Sequence, residues 1–160
     1  MNTLIFDSSE LRGHSAAFAD HFIRLSRESN RLRFFNFRSE FIIKEWVHSL
    51  TSRITSYKDF WIVYQKKNQF VAVGQLACDF ENLSAEIALS IDDDLQLLGY
   101  GKKMMSDLIF LAREQGIKFL NLTIMAQNTK MIAVASFFDF VLKHEDGEIV
   151  GFLELKEEEE

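Results

Sequence analysis

The hydrophobic period of this chain changes near residue 60, and that change restricts what it can fold into. Before it, apolar residues recur at helical spacing. Leu11, Ala16, Ala17, Phe18, Phe22, Ile23 and Leu25 follow the candidate caps Ser8 or Ser9. A short turn segment spans residues 26–35. Phe41, Ile42, Trp46, Val47 and Leu50 follow the candidate cap Ser39. After the change, Phe60-Trp61-Ile62-Val63-Tyr64 is a strand of aromatic and β-branched residues. Phe70–Leu76 returns past the polar segment Gln65–Asn68, as a hairpin with a longer loop. Ser84–Ile91 alternates as a third strand, beyond a turn at Glu81-Asn82.

The helical period returns at Gly99–Gln115. Met104, Met105, Leu108, Leu111 and Ala112 share one face, and Gly116 stands where a left-handed helix end belongs. Phe119–Met125 reads as a strand and Asn128–Phe138 as a helix. Phe140–His144 and Ile149–Leu155 are strands around an Asp146-Gly147 turn. With a weak opening strand at Thr3–Phe6, the order is β-α-α-β-β-β-α-β-α-β-β. It predicts a mixed sheet with helices on both faces. Residues 1–155 are expected to form one domain, and 156–160 (KEEEE) an acidic tail.

Composition removes several classes of function. The chain has 160 residues and 48% hydrophobic content, enough for a core without disulfide or metal support. Twenty-four acidic against 18 basic side chains give a net charge of −6, which argues against nucleic acid as a partner. One cysteine and four histidines make a metal site an unpromising expectation. No apolar run approaches a membrane span, and the N-terminus lacks a signal-peptide pattern. The expectation is a cytoplasmic protein without a membrane partner. Proline is absent, so turns must come from Gly, Asn, Asp and Ser.

Chemistry is concentrated between Ser84 and Lys103, SAEIALSIDDDLQLLGYGKK. A strand ends near Ile91, an acidic loop follows, and a helix opens near Gly99. Gln96-x-x-Gly99-x-Gly101 lies at that opening. Unpaired N–H groups at a helix start carry partial positive charge, and glycines let that backbone approach phosphate oxygens. Lys102 and Lys103 oppose the helix dipole, which an anion there would offset. The spacing fits neither GxGxxG nor GxxxxGK[ST]. A plain Gly-Tyr-Gly turn is the remaining alternative.

This segment resembles motif A of the GNAT superfamily of acetyl-CoA-dependent N-acetyltransferases, [QR]-x-x-G-x-[GA] between the fourth strand and a long helix. Gln96, Gly99 and Gly101 fill it. The strand Ala85-Glu86-Ile87-Ala88-Leu89 and the loop Asp92-Asp93-Asp94 flank it. The segments 21–26 and 32–35 resemble the N-terminal region of bacterial members, and Asn128 to Asp139-Phe140 resembles motif B.

The resemblance implies a GNAT fold of mixed α+β or α/β type. Its mostly antiparallel twisted sheet would splay between the fourth and fifth strands, often beside a bulge. It implies an acyltransferase that moves acetyl from acetyl-CoA, with no metal, to a primary amine on a small molecule or peptide. Attack would be direct, in a ternary complex. Leu89 and Ile91 would pair with pantetheine. The amides of Leu97, Leu98, Gly99, Tyr100, Gly101 and Lys102 would hold the pyrophosphate behind Gln96. Asn128 would contact the cofactor beyond it, and a backbone N–H near Leu89–Ile91 would polarise the acetyl carbonyl. Homodimers are common in the family.

Three positions depart from the family pattern. Leu97 and Leu98 replace a Gly and a basic residue, Ala135 replaces the Tyr that protonates the leaving thiolate, and Asp139 replaces a Gly at the helix exit. Ala135 supports the alternative of a catalytically weak CoA- or acyl-CoA-binding regulatory module. A partner-binding domain with an empty cleft is the third reading.

Glu86 is the candidate general base, placed by alternation on the face of Ala88 and Ser90. A salt-bridged structural Glu is the competing reading. His48 reads as a polar-face residue and Cys78 as a buried hydrophobe, while His14, His21 and His144 receive no role. Arg24, Arg27, Arg31, Arg33 and Arg38 read as salt bridging with Glu10, Glu28 and Glu40. Reception of an anionic acceptor or cofactor phosphate is their alternative. Trp46, Tyr57, Phe60, Trp61 and Tyr64 read mostly as core, with an acceptor pocket as the other use.

Overall fold

The computed structural model describes residues 1–52 and 58–157, so Tyr57 and the last three tail residues lie outside the described residues. The strands are β1 (Asn2–Asp7), β2 (Lys58–Lys66), β3 (Gln69–Asp79), β4 (Ser84–Ile91), β5 (Phe119–Met125), β6 (Val141–Glu145) and β7 (Glu148–Glu154). The helices are α1 (Ser8–Leu11), α2 (Ser15–Arg24), α3 (Arg27–Phe34), α4 (Glu40–Thr51), α5 (Tyr100–Glu114) and α6 (Thr129–Phe137). One seven-stranded sheet runs β1-β2-β3-β4-β5-β7-β6. Every neighbouring pair is antiparallel except β4–β5, which the α5 crossover makes parallel.

Alternation divides the strands between two cores. Ile62 and Tyr64 of β2, and Ala85, Ile87 and Ile91 of β4, face a core closed by Met104, Met105, Leu108, Leu111 and Ala112 of α5. Trp61 and Val63 of β2 face the opposite core, with Phe18 and Phe22 of α2, Phe34 of α3, and Ile43, Val47 and Leu50 of α4. The aromatic rings of that second core meet edge-on: Phe18 and Trp61 at 4.9 Å, Phe22 and Trp46 at 5.1 Å. Cys78 is fully buried, as its sequence reading required, and burial pushes its thiol up to about 12.

Several local expectations are corrected. The first helix is capped by Asp7, not Ser8 or Ser9, through a capping box with Glu10. It is also interrupted by a 3₁₀ turn at Arg12–His14 before α2. Residues 27–34 form a helix rather than a turn, capped by Ser26 and closed by Phe35 at φ 70°. Ser39 does cap α4, accepting from the Ile42 N–H. The β2–β3 hairpin is tight, because Lys67 and Asn68 both take positive φ (50° and 64°) and leave only two loop residues. Asp139 keeps the left-handed helix exit, at φ 66°, without the family's glycine.

The β3–β4 ladder runs in unbroken register from Asp79↔Ser84 to Ala72↔Ile91, so β4 itself has no bulge. The irregularity lies one strand away, where Tyr64↔Ala72 is followed by Gln65↔Phe70 and Val71 is the extra residue. Both Val71 and Ala72 then face the α5 core. The Val71 carbonyl accepts from the Asp92 N–H at 2.8 Å, which fixes the end of β4.

Gly74 is where α5 approaches the sheet most closely. A Cβ there would lie 2.5 Å from Met104 Sδ and 3.1 Å from Leu108 Cδ1. A Gly74→Val substitution should cost about 1–3 kcal/mol of stability through overpacking. Equilibrium denaturation in urea, compared with a Gly13→Ala control in open space, measures it.

Candidate functional site

Strands β4 and β5 pair only at Ser84↔Phe119, Ala85↔Leu120 and Glu86↔Asn121. Beyond Glu86 they diverge, and from Ile87 to Ile91 β4 has a ladder partner on its β3 side alone. The wedge between them is part of a cleft of about 1060 Å³. The cleft runs from Leu32, Arg33, Trp46 and Leu50, past Glu86–Ile91, to Gln96, Leu97, Gly99, Gly101 and Lys102. Thr123 on β5 and Asn128–Lys130 at the start of α6 close its other side.

At the open end lies the first turn of α5. Gly99 at φ 90° is the N-cap of α5 and supplies no side-chain cap. The Lys103 N–H to Gly99 carbonyl bond is the first of the α-helical ladder, so the N–H groups of Tyr100, Gly101 and Lys102 are the orphan donors of this helix start. Leu97 is also left-handed, at φ 64°, so the loop keeps a glycine-type conformation with a leucine in it. Leu97 and Leu98 point outward, 83% and 66% exposed. Gly101 has ordinary φ, and a Cβ there would come no closer than 3.4 Å to Val134 Cγ2. Internal packing therefore does not require its missing side chain.

Side chains behind the loop hold it in place. Gln96 points back rather than outward: its Nε2 donates to the Ile91 carbonyl (3.0 Å) and to Ser29 Oγ (3.2 Å), and its Oε1 accepts from Lys130 Nζ (2.7 Å). Asp93 accepts from the Ser26 N–H and from Ser29 Oγ, both at 3.0 Å. Its burial would raise the carboxyl, but these bonds from Ser26 and Ser29, with Lys130 nearby, outweigh burial and hold it low. Asp92 takes Arg24 Nη2 at 3.2 Å and lies 2.7 Å from Nδ1 of His21. His21, given no role from sequence, is fully buried and also joins the Phe70 carbonyl and Ser90 Oγ at 3.0 and 2.9 Å. Its partners lie 49 to 71 positions away in sequence. Only the fold could reveal them.

The remaining predicted residues are distributed along the cleft. Leu89 is half-buried against the α5 core and Ile91 is buried there. Tyr100 packs its ring 6.4 Å from Tyr64. Lys102 Nζ sits 4.0 Å over the Phe137 ring. Asn128 caps α6 through Oδ1, which accepts from the Met131 N–H at 3.2 Å, and it lines the cleft. Ala135 is fully buried in the α5 core, so no hydroxyl from that position reaches the cleft.

At the closed end, Glu86 faces the cleft and is exposed. The arginine cluster is mostly not the salt-bridged surface it was expected to be. Only Arg31 pairs as read, with Glu28 at 2.9 Å. Glu10 is spent in the capping box and Glu40 on Lys44. Arg27 and Arg38 lie over the rings of Phe37 and Phe34, each at 4.3 Å. Arg33 lines the cleft beneath Phe34, Phe22 and Trp46. Burial, helped by Arg38 and opposed by Glu86, lowers its guanidinium to about 10.

The sequence model of the acetyltransferase (GNAT) family matches residues 23–140, well over half of the chain. The chain belongs to that family and is an acyltransferase. Solved structures of the same fold include the GNAT domain of S. lividans PAT, with TM-score 0.76 and 19% identity over 96% of this chain and 89% of that one. The ribosomal-protein-S18-alanine N-acetyltransferase of Escherichia coli superposes with TM-score 0.65 at 18% identity, over 99% and 97%. The yncA protein of Salmonella typhimurium, determined with its cofactor acetyl-CoA, gives 0.61 at 15%, over 100% and 98%.

The Asp93 brace has a pH signature. A lowered carboxyl contributes stability that is complete above its unfolded value and lost as pH falls through the folded one. Asp93→Ala should therefore cost about 1 kcal/mol at pH 7, solvent exposure keeping the figure small. The difference from wild type should shrink below pH 4, as the unfolded-state carboxyl titrates near 3.8. Urea titrations of both proteins at pH 7 and pH 3 test the sign.

Proposed function

We propose that the chain transfers an acetyl group from acetyl-CoA to a primary amine by direct attack in a ternary complex. The observation that carries this is the orphan amide cradle at Tyr100–Lys102, opening directly onto the wedge where β4 has lost its β5 partner. The residues suit acetyl-CoA from end to end. The cradle would take the pyrophosphate, with Lys102 beside it. The unpaired edge of β4 at Leu89 and Ile91 would pair with the pantetheine amides, as a missing strand would. Asn128 would border the same path.

Acetyl-CoA supplies an activated thioester, whose carbon–sulfur bond breaks as the amine nitrogen bonds to the acetyl carbon. The chain's own work is to position and to move a proton. A backbone N–H between Leu89 and Ile91 would polarise the carbonyl. Glu86, on the same face as Ala88 and Ser90, would accept the amine's proton directly or through water. Because Ala135 is sealed in the core, the departing thiolate would be protonated from solvent. Two amine classes fit this scheme, small molecules and peptide termini, and homodimer formation is compatible with both.

Ala135 is also what favours a second reading, a CoA-binding regulatory module with little turnover. Calorimetric titration with acetyl-CoA, together with CoA release in the presence of amines, separates the two. Micromolar acetyl-CoA binding is expected. Gly101→Asp should weaken it at least about 100-fold while folding normally, since an acidic residue suits a helix start but repels phosphate. Glu86→Gln should bind acetyl-CoA as wild type does and release CoA about 100-fold more slowly. Tight binding with no CoA release by wild type on any amine would leave the regulatory module standing. Absence of acetyl-CoA binding by the folded wild type would sink both.

A further inference from the structure

The closed end of the cleft is lined by one arginine, Arg33, and by two carboxylates, the buried Asp59 and the exposed Glu86. Arg33, in the last turn of α3, lines the cleft. Its Nη2 donates to Gln75 Oε1 at 3.2 Å, a neutral acceptor, and its Nε is buried with no hydrogen-bond partner. Among the described residues no carboxylate forms an ion pair with it. Aromatic rings cover it instead, Phe34 at 5.1 Å and Phe22 and Trp46 each at 5.7 Å from the guanidinium carbon. Gln75 is in turn tied to Asp59, its Nε2 donating to Oδ1 at 3.2 Å, so this half-buried guanidinium reaches a carboxylate only through an amide, and its buried Nε is left unmet. Glu86 lies across the same cleft, close enough to be felt by Arg33, and has no ion-pair partner among the described residues. Leu32, Phe35, Trp46 and Leu50 give this end of the cleft an apolar side, beside the polar Gln75 and Asp59.

From this arrangement we infer that the acceptor is a free α-amino acid with an apolar side chain, its carboxylate on Arg33 and its amine toward Glu86. The inference rests on the acetyl-transfer reading of the same cleft. A guanidinium and a carboxylate lining one pocket match a molecule that carries an ammonium and a carboxylate on the same carbon. Alternative amines match less well. A polyamine would bring positive charge against Arg33. A simple alkylamine, or a peptide N-terminus with an amide where the carboxylate would be, leaves the Arg33 Nε–H unpartnered. Rejecting a ligand that lacks a group the site is built to bind is the efficient form of specificity, because the site's own polar atom is then left unpaired.

The test compares leucine with leucinamide, isoamylamine, spermidine and a peptide with an N-terminal alanine, by CoA release from acetyl-CoA with the full chain. Leucine should have a kcat/KM at least about 10-fold above leucinamide and above the peptide. Leucine should also raise the Tm of the protein saturated with CoA, and leucinamide should not. Arg33→Gln should cost leucine about 100-fold in kcat/KM, mostly through KM, and leave leucinamide within a few-fold. Acetyl-CoA affinity by calorimetry should be unchanged in that variant. Should Arg33→Gln fail to fold, the leucine–leucinamide comparison on wild type still decides. Equal use of acid and amide, preference for the peptide or spermidine, or no response to any of the panel by a protein that binds acetyl-CoA would each overturn the inference while leaving acetyl-CoA recognition intact. Failure to bind acetyl-CoA at all would instead remove the reading beneath it.

Discussion

The structure depends on a pairing that stops. Strands β4 and β5 share three residue pairs and then separate, within a sheet that is otherwise continuous. A parallel pair needs a crossover, and α5 supplies it, so the helix must start at the open end of the wedge. Two sets of unpaired backbone donors and acceptors thus face one space: the edge of β4 and the first turn of α5. Unpaired main-chain groups in a partly enclosed place are costly unless water or a ligand satisfies them. A long ligand with a polar amide stretch and an anionic group answers both at once.

Three polar side chains of the β4–α5 loop tie it to the elements around it. Asp92 ties the strand end to α2 through Arg24 and His21, Asp93 ties it to the start of α3, and Gln96 ties it to β4, α3 and α6 together. The bulge at Val71 supplies a further anchor to Asp92. With these in place, Leu97 tolerates a left-handed backbone that a leucine would otherwise avoid.

Much of the element order was legible because β2 is a run of aromatic and β-branched residues, β4 alternates, and the longest helix carries an apolar face. The anion loop was legible because two glycines at a strand-to-helix junction say something about backbone even without neighbours. What sequence could not show was any partnership across distance. His21 had no visible partner because Ser90 and Asp92 lie about seventy residues further along the chain. Arg33 looked like its four neighbouring arginines, and only the packing of Phe22, Phe34 and Trp46 separates it from them. The tight β2–β3 turn was missed because Lys67 and Asn68 are not the usual glycine-bearing pair. Asp7 was passed over as a cap because it also ends β1.

Charge placement resolves an apparent conflict between an acidic protein and an anion-binding loop. The three consecutive aspartates before the cradle would repel a phosphate if they faced it. Asp92 and Asp93 instead turn toward α2 and α3, where a guanidinium, an imidazole, two serines and a main-chain N–H absorb them. Lys102 projects at the opposite side, over Phe137, and Lys130 is fixed to Gln96. Cations thus stand at the start of α5 and of α6 in a chain whose net charge is −6. The same separation recurs at the closed end, where Arg33 is enclosed by rings and Glu86 is open to the cleft. If the cleft binds as proposed, its selectivity at each end would rest on how these charges are oriented and not on the net charge of the chain.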